Sequence, residues 1–148
     1  MKKSARVSAS FRDPSGFLFI HEGTLYRQIN HSYREDWELL NKSGLAKELI
    51  RSELLLPYRN ASSDLAQTED AYQIIQPEPV GFVSYPYEWC FGQLKDAALL
   101  TLKIQKIALE HGVSLKDASA YNIQFVDGKP ALIDHLSFEK YEEKPWVA

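Results

Sequence analysis

Ser114-Leu115-Lys116-Asp117-Ala118-Ser119-Ala120-Tyr121-Asn122 leads into Ile123-Gln124-Phe125-Val126, then Asp127-Gly128, then Ala131-Leu132-Ile133 and Asp134. The first block is polar and reads as a loop. The second alternates like a strand, Asp127-Gly128 is a two-residue hairpin turn, and Ala131-Leu132-Ile133 is the return strand. The hairpin brings Asn122 and Asp134 together because they flank its open end. One carboxylate, one amide and a second carboxylate are thus spaced around a single ribbon.

Those residue types suit phosphoryl transfer. A loop Asp orients or deprotonates the acceptor hydroxyl, an Asn five positions later holds Mg²⁺, and an Asp at a strand end bridges metal and phosphates. Each residue alone also fits a structural role. Asp117 can cap a turn, Asn122 can tie down its own loop, and Asp134 can stabilise a strand end.

Working outward, Phe91 to His111 is the strongest helix. Leu94, Ala97, Leu100, Ile104, Ile107 and Ala108 recur at helical spacing, with Lys95, Lys103, Lys106 and Glu110 on the other side. Gly112 stands where a left-handed C-cap residue belongs. Val80 to Tyr85 reads as a short strand stopped by Pro86. Upstream, Phe17-Leu18-Phe19-Ile20-His21 and Thr24-Leu25-Tyr26-Arg27-Gln28-Ile29 flank Glu22-Gly23 as a hairpin. Tyr33, Trp37, Leu40 and Leu45 make a helical stripe, with Gly44 ending the first helix and a second helix over 45–54. Residues 59–70 read as an exposed loop, and Tyr72-Gln73-Ile74-Ile75 as a strand. Residues 1–10 are small and polar, a flexible leader.

Composition bounds the rest. The 148 residues are 45% hydrophobic and 25% charged, ordinary for a globular chain. The net charge of −3 argues against nucleic acid as a partner. The basic N-terminus has no apolar run after it, and no stretch is long enough to span a bilayer, so no membrane is expected. A single cysteine, Cys90, excludes an internal disulfide and suits a cytoplasmic location. The seven glycines are never closer than Gly16 and Gly23, so neither G-x-G-x-x-G nor G-x-x-x-x-G-K-[ST] occurs. The dinucleotide turn, the P-loop and the S-adenosylmethionine loop all need closely spaced glycines. His21, His31, His111 and His135 show no zinc spacing.

Residues from about Gly81 to Phe138 resemble the catalytic segment of the protein-kinase-like and aminoglycoside-phosphotransferase-like fold. The resemblance implies an α+β, truncated protein-kinase-like fold. A small hairpin-containing lobe spans 11–80. A partial large lobe spans 81–148, with a hinge, the long helix and the catalytic-type loop and hairpin. It implies Asp117 as catalytic residue, Asn122 and Asp134 as metal ligands, and Arg27 and Tyr87 as cofactor contacts, with Mg²⁺ and ATP as the ligands. The pattern departs from the family at several places. Leu115 and Lys116 stand where histidine and arginine usually precede the Asp. Leu136 replaces a glycine. Arg27 is the nearest cation to the missing strand lysine, and arginine does not substitute freely for lysine.

A wider resemblance covers nearly the whole chain. Phe11-Arg12-Asp13-Pro14-Ser15-Gly16, Leu25-Tyr26-Arg27-Gln28, Ser84-Tyr85-Pro86-Tyr87-Glu88-Trp89, the 115–122 block and Pro145-Trp146-Val147-Ala148 are similar to a bacterial family. Its members are class I S-adenosylmethionine-dependent methyltransferases, some of them nodulation-type host-specificity proteins. This resemblance implies an N-terminal piece, with the methyltransferase domain downstream and S-adenosylmethionine bound only there. It makes that downstream domain the expected partner. Two functions follow as expectations: a kinase-like accessory module without methyl transfer of its own, or an active Mg-ATP phosphotransferase acting on a small molecule or carbohydrate.

Overall fold

The computed structural model describes residues 13–143 and the main chain of 5–6. The other residues expected in the leader, and the apolar end Pro145–Ala148, lie outside the described residues. In chain order the elements are β1 (Ala5–Arg6), β2 (Gly16–His21), β3 (Thr24–Asn30), α1 (Arg34–Lys42), α2 (Leu45–Arg51), β4 (Tyr58–Asn60) and β5 (Ala71–Pro77). They continue with α3 (Phe91–Glu110), β6 (Val113–Leu115), β7 (Ile123–Val126), β8 (Lys129–Leu132) and β9 (Phe138–Lys140). The fold class is α+β, with antiparallel pairing in one five-stranded sheet and two two-stranded ribbons.

The large sheet runs β1-β2-β3-β5-β4. Its hairpin turns at Glu22-Gly23, both with positive φ (50° and 80°), the geometry of a tight turn matched to strand twist. Asp127-Gly128 repeats that geometry between β7 and β8, with φ of 51° and 78°. Two of the leader residues, Ala5 and Arg6, pair with Ile20 and Phe19 at the edge of the sheet. One face of the sheet holds a small cluster of Phe17, Phe19 and Ile74. The other carries Ile29 and Ile75 into the main core.

That core joins the sheet to all three helices. Trp37 and Leu40 from α1, Leu45 and Leu49 from α2, and Ala97, Leu100, Ile104 and Ala108 from α3 meet Ile29, Ile75, Ile123, Leu132 and Phe138. The α3 residues are those whose spacing marked the helix. Gly44 (φ 84°) separates α1 from α2, and Gly112 (φ 72°) follows α3 in the left-handed region expected of it.

Four segments differ from the sequence expectations. The second helix, expected over 45–54, stops at Arg51, and the chain turns through Glu53 with a positive φ of 60°. Val80–Tyr85 is irregular rather than a strand. β5 already ends at Pro77, and in place of a neighbouring strand the Gln124 amide serves the main chain of Ser84. Its Oε1 accepts from Ser84 N at 2.9 Å, and its Nε2 donates to Ser84 O at 2.9 Å. Val113–Leu115 is a strand rather than loop, because it finds Phe138–Lys140 as a partner. Within 59–70, the first residues belong to β4, which pairs with β5.

Candidate functional site

Arg27 sits in β3, two positions from Ile29, so its side chain enters the same face as the core. It is 7% exposed. Burying a guanidinium requires a partner, and its Nη1 lies 3.2 Å from Asp134 Oδ1. The same carboxylate oxygen accepts from Leu136 N at 3.0 Å, which fixes the turn after β8. Arg27 Nε has no hydrogen-bond partner although it is buried.

The loop before β7 is stitched to the segment after β8 through its main chain. Ile133 N donates to Asn122 O at 2.8 Å, and Lys116 N donates to Ser137 O at 2.8 Å. The Asn122 amide nitrogen lies 3.5 Å from Ser137 Oγ. Asn122 is therefore held beside the strand that delivers Asp134. Asp117 is exposed, and its Oδ1 accepts from Ser119 N at 2.9 Å, a local turn. Tyr87 lies in the exposed turn before α3, near enough to the loop for Tyr121 to act on its hydroxyl. Its ring stacks on Tyr85 at 5.5 Å and 6°, and it is 75% exposed. Partial desolvation, then the charges of Glu88, Tyr85 and Tyr121, raise its hydroxyl above the usual tyrosine range.

Two residues beside the predicted set are also part of the arrangement. Lys116 sends its ammonium to Ser15 Oγ at 3.0 Å and over the Tyr33 ring, 4.9 Å from its centre. It thereby links the loop to the start of β2. His135, next to Asp134, is fully buried. Its Nε2 pairs with Leu56 O at 2.7 Å, so this nitrogen carries the proton and Nδ1 is a bare acceptor without a partner. Burial lowers the imidazole to about 4; the Leu56 bond opposes this, and the Arg27 charge reinforces it. Its position next to Asp134 was the only local signal, since nothing in a sequence distinguishes a buried histidine from an exposed one.

Chemically, Arg27 and Asp134 form a neutralised pair, and main-chain bonds hold Asn122 and Lys116 to the residues on either side of Asp134. Among the described residues, no three His, Cys, Asp or Glu side chains are grouped to hold a metal ion. No helix among the described residues is long and apolar enough to cross a membrane.

No family model matches the chain. Across 143 residues it is 34% identical to a protein named "Nodulation protein NoeA" from Rhizobium meliloti (strain 1021). The alignment takes in 95% of this chain but 30% of that relative, so the chain spans less than a third of the length of the curated protein it resembles.

Proposed function

We propose that this chain is a kinase-like accessory module, the N-terminal part of a bacterial S-adenosylmethionine-dependent methyltransferase protein, without methyl transfer of its own. The observation that carries this reading is the Arg27–Asp134 pair at 3.2 Å. The carboxylate that the kinase resemblance assigns to a metal already has a buried cationic partner. Any Mg²⁺ at Asn122 and Asp134 would have to compete with that guanidinium. The wide spacing of the glycines supports the absence of S-adenosylmethionine from this part, because the loop for that cofactor needs closely spaced glycines.

The rest of the parent protein is the proposed partner. The relative is far longer than this chain. Phe91, Leu99, Leu102 and Leu109 of α3 are exposed away from the helix's buried side. Apolar side chains thus interrupt the lysine-bearing side of α3, surface that a further domain would cover. A cytoplasmic location is part of the proposal, supported by the lone, unpaired Cys90.

Calorimetry of the chain with Mg-ATP, with and without S-adenosylmethionine, tests it. The expected result is no binding of S-adenosylmethionine and, at most, weak Mg²⁺-dependent uptake of nucleotide. Micromolar binding of S-adenosylmethionine would overturn the assignment of that cofactor to another domain.

The alternative is an active phosphotransferase, favoured by the main-chain bond that keeps Asn122 against the strand leading to Asp134. Asp117 would take the proton of an acceptor hydroxyl, and Asn122 and Asp134 would hold Mg²⁺. The ion would neutralise phosphate charge as the γ-phosphoryl group moves to that oxygen and ADP leaves. Robust ATP turnover lost in both Asp117→Asn and Asp134→Asn would establish it. Equal background rates in wild type and both variants would leave the accessory module.

A further inference from the structure

A groove of about 510 Å³ lies between α2 and β4, away from the Arg27–Asp134 pair. Lys47 and Arg51 of α2 and Arg59 of β4 line it, all three exposed, and no acidic side chain does. None of the three takes part in an ion pair among the described residues. Arg59 Nε donates to the neutral Gln76 Oε1 at 3.2 Å, which leaves its charge uncompensated. This concentration of cations stands in a chain whose net charge is −3. Lys47 and Arg51 are four residues apart on one helix face, where like charges repel. An anionic group from outside the fold relieves that repulsion.

The other wall is an open sheet edge. Among the described residues, β4 is the last strand of its sheet and pairs only with β5. Glu78 N donates to Pro57 O, and Ala61 N donates to Ile74 O. By the antiparallel alternation, residues 57, 59 and 61 therefore face β5, and Tyr58 and Asn60 turn their N–H and C=O groups outward. No hydrogen bond within the described residues satisfies those outward groups. Half-buried Ile50 and Tyr58 supply apolar surface in the same groove.

We propose that this groove binds an extended acidic peptide segment of a partner protein, added as a further strand on β4. Main-chain bonds to Tyr58 and Asn60 would fix its register. Its carboxylates would meet Lys47, Arg51 and Arg59. Four residues of helix advance ~6 Å and alternate residues of a strand ~6.8 Å, so the step from Lys47 to Arg51 is close to that between successive carboxylates on one peptide face. Strand addition to an exposed edge takes affinity from the backbone and specificity from side chains on one face. This inference does not depend on the function proposed above.

Fluorescence anisotropy of the full 148-residue chain tests it, with an octapeptide alternating glutamate with valine or threonine and a matched peptide carrying lysine for glutamate. The expected result is binding of the glutamate peptide about tenfold or more tighter than the lysine peptide, weakened by salt. Lys47→Glu with Arg51→Glu should reduce it at least as much, with the far-UV spectrum unchanged. The gentler Lys47→Gln with Arg51→Gln should give an intermediate loss. N-methylation of alternate peptide nitrogens should abolish binding, and amide exchange at Tyr58 and Asn60 should slow in the complex. Equal binding of the two peptides, or no effect of the α2 substitutions, would overturn the proposal. So would undiminished binding of the N-methylated peptide, or equal binding of a single-stranded oligonucleotide of matched charge, since either would reduce the groove to a charged patch.

Discussion

The hydroxyl of Tyr33 holds both main-chain groups of Phe138: it donates to the carbonyl and accepts from the N–H at 3.2 Å. Burial raises this phenol well above the ordinary tyrosine range, so it stays neutral and available for both bonds. One side chain at the entry to α1 thus fixes the start of β9. Lys116 covers its ring and joins it to Ser15.

Tyr33→Phe removes only the oxygen. It leaves a buried N–H and C=O without partners, each of which is expensive to desolvate. The expected loss is about 2 kcal/mol in urea unfolding. A change within ~0.5 kcal/mol would show that water replaces the hydroxyl.

For Arg27 and Asp134 a double-mutant cycle is informative. Asp134→Asn keeps the shape and the bond to Leu136 N but leaves the guanidinium buried and uncompensated. The expected loss is about 2 kcal/mol, less than for a fully enclosed pair because the Asp134 side chain is 20% exposed. Arg27→Met should also destabilise. The double variant should recover more than ~1 kcal/mol relative to the sum, since no lone charge is left. Additive losses would mean the pair contributes nothing as a pair.

His135 predicts a pH dependence. Its imidazole titrates near 4 in the folded protein against 6.5 as the ordinary value. Between those values the unfolded chain binds a proton and the folded chain does not. Stability from this residue is therefore complete above about pH 6.5. It falls as pH drops toward 4, by up to roughly 3 kcal/mol. Carboxylates add their own acid dependence, so the check is the difference between wild type and His135→Gln in denaturant series across that window. The variant should have the shallower slope; parallel curves would refute the assignment.

Gly16 is required by space rather than by its dihedral angles. A Cβ there would sit 2.1 Å from Gln28 O and 2.9 Å from Leu136 Cδ1. Gly16→Ala must push β2 off β3 and disturb the turn beyond Asp134, an expected loss of about 2 kcal/mol. Thermal unfolding reads it, and an unchanged midpoint would mean that the strand moves freely.

Local chemistry made some elements legible. Glu22-Gly23 and Asp127-Gly128 announce tight turns between alternating runs, and the α3 spacing holds over twenty residues. The β6–β9 ribbon was not legible. Each of its strands is three residues long, and the partner lies beyond an intervening hairpin. Val80–Tyr85 has strand composition, but a Gln124 side chain takes the place of a neighbouring strand, and no local pattern encodes that. At the candidate site, Asp117, Asn122, Asp134 and Arg27 stood out by type and order. What order could not convey was that Arg27 and Asp134 pair with each other, because that contact depends on how the sheet packs over the second hairpin.

The β9 strand has a consequence for how the chain acquires its structure. Phe138 satisfies Tyr33, Lys140 N reaches Asp36 Oδ1 at 3.0 Å, and Tyr141 N reaches Gly112 O at 2.9 Å. The first two bridge 105 and 104 residues, so they contribute a high contact order, and loop closure must precede any return from them. During synthesis the first sheet and α1 emerge long before the segment that fastens them to α3. Until it arrives, the Tyr33 hydroxyl has only water to bond. The sheet and helices are thus fastened by a segment made after them, and the nascent intermediate still lacks that clasp.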